Sequence, residues 1–83
     1  MGKIFGSDDL RKFLLSQGCV FNRCNSSHEI YDLPVAVKPI NGERPFFVMQ
    51  TGRKNYESHS CNRYLSQLKM KGFDKDKIKK FFK

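Results

Sequence analysis

The chain contains no tryptophan, and only three prolines and three cysteines occur among its 83 residues. No apolar run approaches the ~20 residues needed to cross a bilayer, so no membrane association is expected. The opening Met1-Gly2-Lys3-Ile4-Phe5 lacks the apolar stretch of a secretory signal, so the expected location is cytoplasmic. Three cysteines, Cys19, Cys24 and Cys61, cannot all pair within one chain, and none stands in a C-x-x-C arrangement. Free thiols are therefore expected. A zinc site from Cys24, His28, His59 and Cys61 fails on geometry. Along an extended strand Cys24 and His28 stand roughly 13 Å apart, and His59 and Cys61 at a helix start point in different directions.

Acidic residues are scarce. Eight Asp and Glu face 16 Lys and Arg, a net charge of +8. Such a field favours phosphate backbones, acidic proteins or anionic surfaces. It is uneven, because Lys69 to Lys83 alone carries +5 and the rest of the chain +3. A length of 83 residues allows one core and no more. Eight Phe and three Tyr supply rings to fill it.

Ser7 is a helix cap, and Asp8 and Asp9 suit the positive first turn. Leu10, Phe13 and Leu14 recur at helical spacing until Gly18, which predicts a helix over about Asp8 to Gln17. Cys19 to Cys24 and His28 to Leu33 alternate as strands around the turn Asn25-Ser26-Ser27, a hairpin. Pro34 bends the chain, and Val35-Ala36-Val37 offers a continuation of the strand. Asn41-Gly42 is the strongest turn signal, and Phe46 to Met49 returns as a third strand. Ser58 or Ser60 caps a long helix with Cys61, Tyr64, Leu65 and Leu68 as its apolar stripe, stopped by Gly72. A short helix then starts at Asp74, with Phe73 and Ile78 as a hydrophobic staple. Its stripe of Ile78, Phe81 and Phe82 needs a surface to rest on, since a helix this short is unstable alone.

The expected fold is α+β: a three-stranded antiparallel sheet with two helices on one face, in the order α-β-β-β-α, plus a short C-terminal helix. Residues 1–72 make the domain and 73–83 a basic helical extension. The same order describes the double-stranded-RNA-binding domain, although order alone says little of function.

Three short segments carry a more specific likeness. Gln17-Gly18-Cys19-Val20-Phe21-Asn22-Arg23 runs from a helix stop through a strand to an arginine. Five residues beyond that arginine stands the histidine of Ser26-Ser27-His28-Glu29-Ile30-Tyr31. Ser60-Cys61-Asn62-Arg63-Tyr64-Leu65-Ser66-Gln67 follows as a helix start. In this order and spacing they resemble the HicA family, the ribonuclease toxins of bacterial HicA–HicB modules. The likeness covers roughly Ser7 to Met70. Where the family has a turn glycine this chain has Ser26, and where it has a second histidine this chain has Glu29. The family's catalytic histidine corresponds to His28. The resemblance implies an endoribonuclease acting on mRNA and a HicB-like antitoxin partner.

RNA carries its own nucleophile, the 2′-hydroxyl, so the chemistry needs no cofactor, metal or covalent residue. It needs a base, an acid for the departing 5′-oxygen, and positive charge at the phosphate. An imidazole, titrating near ~6.5, suits the base role at pH 7. Arg23, Lys38, Arg53 and Lys54 are candidates for holding phosphate oxygens, and Ser27 for orienting His28 or bonding the phosphate. Glu29, on the face opposite His28, is expected to be a solvated strand residue. His59 reads as a neighbour of a helix cap, Tyr31 and Tyr64 as core or sheet-face aromatics, and the lysine tail as a solvated helix face. A non-catalytic RNA-binding module and a degenerate toxin-like interaction domain are the alternatives.

Overall fold

Leu10, Phe13 and Leu14, three residues with no exposed surface, fix the inner face of the first helix, α1 (Ser7–Ser16). The computed structural model describes residues 4–40 and 42–82. Gly6, not Ser7, is the N-cap, and its N–H donates to Asp9 Oδ2 (3.1 Å). Ser7 is the first helical residue and is buried. Its N–H and hydroxyl both donate to the Arg53 carbonyl (2.9 and 3.0 Å), so the hydroxyl ties α1 to a distant connection instead of capping it. α1 ends as the sequence predicts: Cys19 N–H bonds to Leu14 O (3.0 Å) and Gly18 N–H to Leu15 O (3.1 Å), a Schellman motif.

The strands β1 (Val20–Asn25), β2 (His28–Asp32) and β3 (Phe46–Gln50) form one antiparallel sheet in that order. Asn25 pairs with His28 across the two-residue loop Ser26-Ser27. Ser26 has φ +60°, a left-handed conformation that glycine adopts without cost. The inner face carries Tyr31, Phe47 and Met49. His28 pairs with Gln50, Ile30 with Val48 and Asp32 with Phe46 on the outer face. The strand predicted beyond Pro34 does not form. Leu33 N–H donates to Pro45 O, and Val37 N–H turns back to Pro34 O. Proline fixes its own φ and offers no N–H to a ladder, so Val35 is left on the surface. Of the predicted Asn41-Gly42 turn, Asn41 lies outside the described residues. Gly42 has a positive φ, and Glu43 N–H closes on Ile40 O (3.1 Å).

The second helix, α2 (Ser58–Met70), has Glu57 as N-cap and no side-chain capping bond, so neither Ser58 nor Ser60 caps it. Its buried Cys61 and Leu68 join the cluster formed by α1 and the inner sheet face. At its end Phe73 N–H bonds to Leu68 O (3.1 Å) and Gly72 N–H to Lys69 O (3.0 Å), a second Schellman motif with both apolar partners buried. Lys71, only 6% exposed, donates to Glu43 Oε1 (3.0 Å) and Arg44 O (3.1 Å), pinning the long connection to α2. In the last helix, α3 (Lys75–Phe81), Asp74 is the N-cap and accepts from Asp76 N–H (2.9 Å). The two residues of the expected staple, Phe73 and Ile78, are both buried in the same cluster.

The surface that α3 rests on is aromatic. Phe13 has Phe73, Phe81 and Phe82 around it at centroid distances of 5.5, 5.3 and 5.3 Å, and Phe5 stacks on Phe82 at 4.4 Å. Phe73, Ile78 and Phe82 therefore belong to the same core as the rest of the chain. Among the described residues, no helix is long and apolar enough to cross a membrane.

All three thiols are free. Cys19 and Cys61 are buried, and burial pushes the Cys19 thiol up to about 11. Cys24 is exposed on β1. Since the thiolate is the reactive form, titration of native protein with an aromatic disulfide reagent should release one equivalent quickly. The other two should follow only at the rate of unfolding, and rapid release of all three would contradict this packing.

Candidate functional site

His28 opens β2 on the outer face, exposed to solvent. The side chains around it come from two stripes. Every second residue of β3, namely Phe46, Val48 and Gln50, shares that face by strand alternation. On α2 and its C-cap, Ser60, Arg63, Gln67 and Lys71 fall at i, i+3, i+7 and i+11, one side of a helix. Tyr56 and Tyr64 close the space between them. Gln50 N–H donates to Tyr64 Oη (2.9 Å), and Tyr56 Oη donates to the Gln50 carbonyl, so two phenols satisfy both backbone groups of Gln50 at the end of β3. Burial raises the Tyr56 hydroxyl above its ordinary range. The result is an open groove of about 370 Å³ with His28 on its wall. Among the described residues, no carboxylate lines it.

Two of the residues expected at the site, Ser27 and Arg23, do gather near His28. Ser27 precedes it in the turn, and the Ser27 carbonyl accepts from Thr51 N–H (2.8 Å), which fixes the end of β3 beside it. Arg23 reaches the same face through an irregularity. Strict alternation would place Arg23 with Phe21, on the inner side. The pairing shifts between Phe21 and Arg23, so Phe21 pairs with Tyr31 while Arg23 pairs with Ile30. The bulge at Asn22 thus turns Arg23 toward His28, diagonally about 7–8 Å along the sheet. Asn22, beside it, bonds to both carboxylate oxygens of Asp32 (3.1 and 3.0 Å).

The other candidates lie elsewhere. Arg53 and Lys54 are exposed on the connection after β3, with their backbones against the start of α1. Lys38 stands at the opposite end of α2 from His28, its carbonyl against Gly72, and it does not share the groove. Arg63 and Gln67 were not singled out by sequence. Their signal was a polar stripe one position beside the apolar stripe of α2, which any solvated helix also shows. His59 sits in the first turn of α2, exposed and 3.8 Å from Glu57, outside the groove. Cys24 and His28 lie on opposite faces, and no three metal-binding side chains gather among the described residues.

Glu29 is not the solvated residue expected. Its alternation is right, but the inner face at this end is covered by Arg11 of α1. Arg11 Nε and Nη2 reach Glu29 Oε1 and Oε2 (3.1 and 3.2 Å), Nη2 also donates to Thr51 Oγ1 (3.0 Å), and Tyr31 Oη donates to Glu29 Oε1 (2.8 Å). The fork-to-fork pair holds the Glu29 carboxyl below its ordinary value of 4.5 and raises the Arg11 guanidinium. The carboxylate is thereby neutralised on the far side of the sheet, away from any phosphate at His28. A carboxyl depressed in the folded state stabilises above its unfolded pKa, and that contribution is lost as pH falls through the folded value. Denaturant midpoints measured from pH 7 downward should therefore drop through and below the carboxylate range in the wild type. Glu29→Gln should be less stable at neutral pH and show a flatter acid limb. Parallel acid limbs for the two proteins would refute the pairing.

No family model matches this chain, and no curated protein or solved structure does either.

Proposed function

We propose that this domain binds mRNA in the cytoplasm and cleaves it, with His28 as the base, in the manner of the toxins its sequence resembles. One observation carries the reading: an exposed imidazole stands on the wall of a groove that also holds Arg63, which has no ion-pair partner among the described residues, and that no carboxylate lines among them. His28 takes the proton of a 2′-hydroxyl, and the freed oxygen attacks the adjacent phosphorus. The bond from phosphorus to the 5′-oxygen breaks, and the departing oxygen takes a proton from water. The imidazolium returns its proton to solvent. The products are a 2′,3′-cyclic phosphate and a 5′-hydroxyl end. Arg63 and Arg23 flank His28 on the helix and strand sides, where positive charge counters the charge growing on the phosphate oxygens. An acidic antitoxin of the HicB type is the partner that the resemblance implies, and a net charge of +8 favours such a complex.

The test is incubation of purified chain with RNA in EDTA, beside His28→Ala, with the chemistry of the new ends determined. Cleavage by the wild type alone, leaving cyclic phosphate, supports the reading. Equal nicking by both proteins would assign the activity to a contaminant. RNA binding without cleavage, unchanged in His28→Ala and falling steeply with salt, would make the domain a binding module instead.

A further inference from the structure

We propose that the groove between β3 and α2 is a subsite for one unpaired nucleobase of single-stranded RNA. The proposal rests on the reading above for one point, that the phosphate next to this base is the one His28 attacks. The floor is apolar, made by Phe46 and by Val48, which is 41% exposed. The wall is a ring that cannot swing: Tyr64 is held by its bond from Gln50 N–H and by Tyr56 at 4.7 Å and Phe47 at 6.0 Å. A rigid aromatic wall over an apolar floor is a surface on which a planar base stacks, with little ordering cost.

Two planar amides, Gln50 and Gln67, line the space, and neither side chain hydrogen-bonds to another described residue. Each offers two donors and an acceptor, the complement of a base edge. Arg63 makes no ion pair among the described residues and stands where the backbone phosphate of a stacked nucleotide passes. A volume of about 370 Å³ falls at the small end of the ~300–1,000 Å³ typical of small-molecule sites. It suits a nucleoside and excludes a helix. Paired bases cannot enter, because in an A-form duplex each base is stacked between its neighbours and its Watson–Crick edge is taken by its partner. The geometry also joins subsite to chemistry: Gln50 is the cross-strand partner of His28, so a base held at Gln50 leaves its phosphate at the imidazole.

Binding of the full chain to 2′-O-methyl RNA, which resists this cleavage, tests the proposal. The probes are hexamers of each base and a 12-base-pair duplex. The best hexamer should bind about tenfold tighter than the duplex, and the four hexamers should differ among themselves by about fivefold. Gln67→Ala and Gln50→Ala should shrink that spread to less than about twofold, while Arg63→Ala should weaken all four alike. Gln67 and Arg63 are exposed on α2, so their loss leaves the core intact, as a melting curve will verify. Equal binding of duplex and hexamer, or a spread that survives the glutamine changes, overturns the subsite. Displacement of the hexamer by an equal concentration of a glutamate-rich peptide would assign the groove to a protein and overturn it too. His28-dependent cleavage with no base preference removes the subsite and keeps the nuclease. Base-selective binding by a chain that never cuts removes the nuclease and keeps the subsite.

Discussion

His28→Ala is expected to lower the rate of RNA cleavage by about 10²–10⁴-fold, the usual contribution of a positioned general base. The magnitude is interpretable because the substitution should do little else. The ring is exposed, so its removal opens no cavity, and the pairing of His28 with Asn25 and Gln50 runs through the backbone. Surface changes of this kind stay within about 0.5 kcal/mol of stability. Cleavage of end-labelled RNA under single-turnover conditions, beside urea midpoints for both proteins, separates chemistry from folding. In cells, expression of the wild type should arrest growth and the variant should relieve the arrest. A variant that folds normally and cuts at the wild-type rate would remove His28 from the mechanism.

Gly72→Ala should be strongly destabilising, because it combines a forbidden backbone conformation with a backbone overlap. Gly72 has φ +98°, and a Cβ there would lie 2.1 Å from the Lys38 carbonyl oxygen and 2.9 Å from its carbon. Both atoms are backbone, so no rotamer change relieves the overlap. The left-handed conformation costs roughly 1–2 kcal/mol for a residue with a Cβ, and forcing closely packed parts apart adds about 1–3 kcal/mol. The parting would strain the bond from Ile40 N–H to Met70 O (2.8 Å) and the Schellman bonds that end α2. Against a total of about 5–15 kcal/mol, at the lower end for a small domain, much of the stability goes. Gly42→Ala is the control: φ there is +75°, but nothing lies within 4 Å of the added carbon. Its cost should be the conformational part alone. Equal urea midpoints for the two variants would show that the contact between Lys38 and Gly72 is not as tight as described.

Whatever local chemistry decides was legible in the sequence. Gly18 and Gly72 stop their helices in the manner expected, the Ser26-Ser27 turn makes the hairpin, and the two residues of the expected staple, Phe73 and Ile78, are both buried. What a distant segment decides was not. Ser7 has the side chain of a cap, yet the Arg53 backbone claims it. Alternation puts Glu29 on the face opposite His28, as it should, but Arg11, 18 residues earlier on α1, reaches across to cover it. Arg23 owes its face to a bulge, which alternation cannot foresee. Lys38 was placed at the site on charge alone, and the path of its connection over the end of α2 carries it away. The groove itself is a relation between β3 and α2, and neither stripe announces the other.

The last helix keeps two kinds of residue that no truncation can separate. The segment from Lys69 to Lys83 that contains it carries +5 of the net +8, while Phe73, Ile78 and Phe82 are wedged against Phe5, Phe13 and their neighbours. Cutting the tail to ask whether its cations grip RNA would therefore pull plugs from the interior, and any loss of binding would report a melted protein. The cations have to be exchanged one by one for neutral glutamines, with every ring left in place.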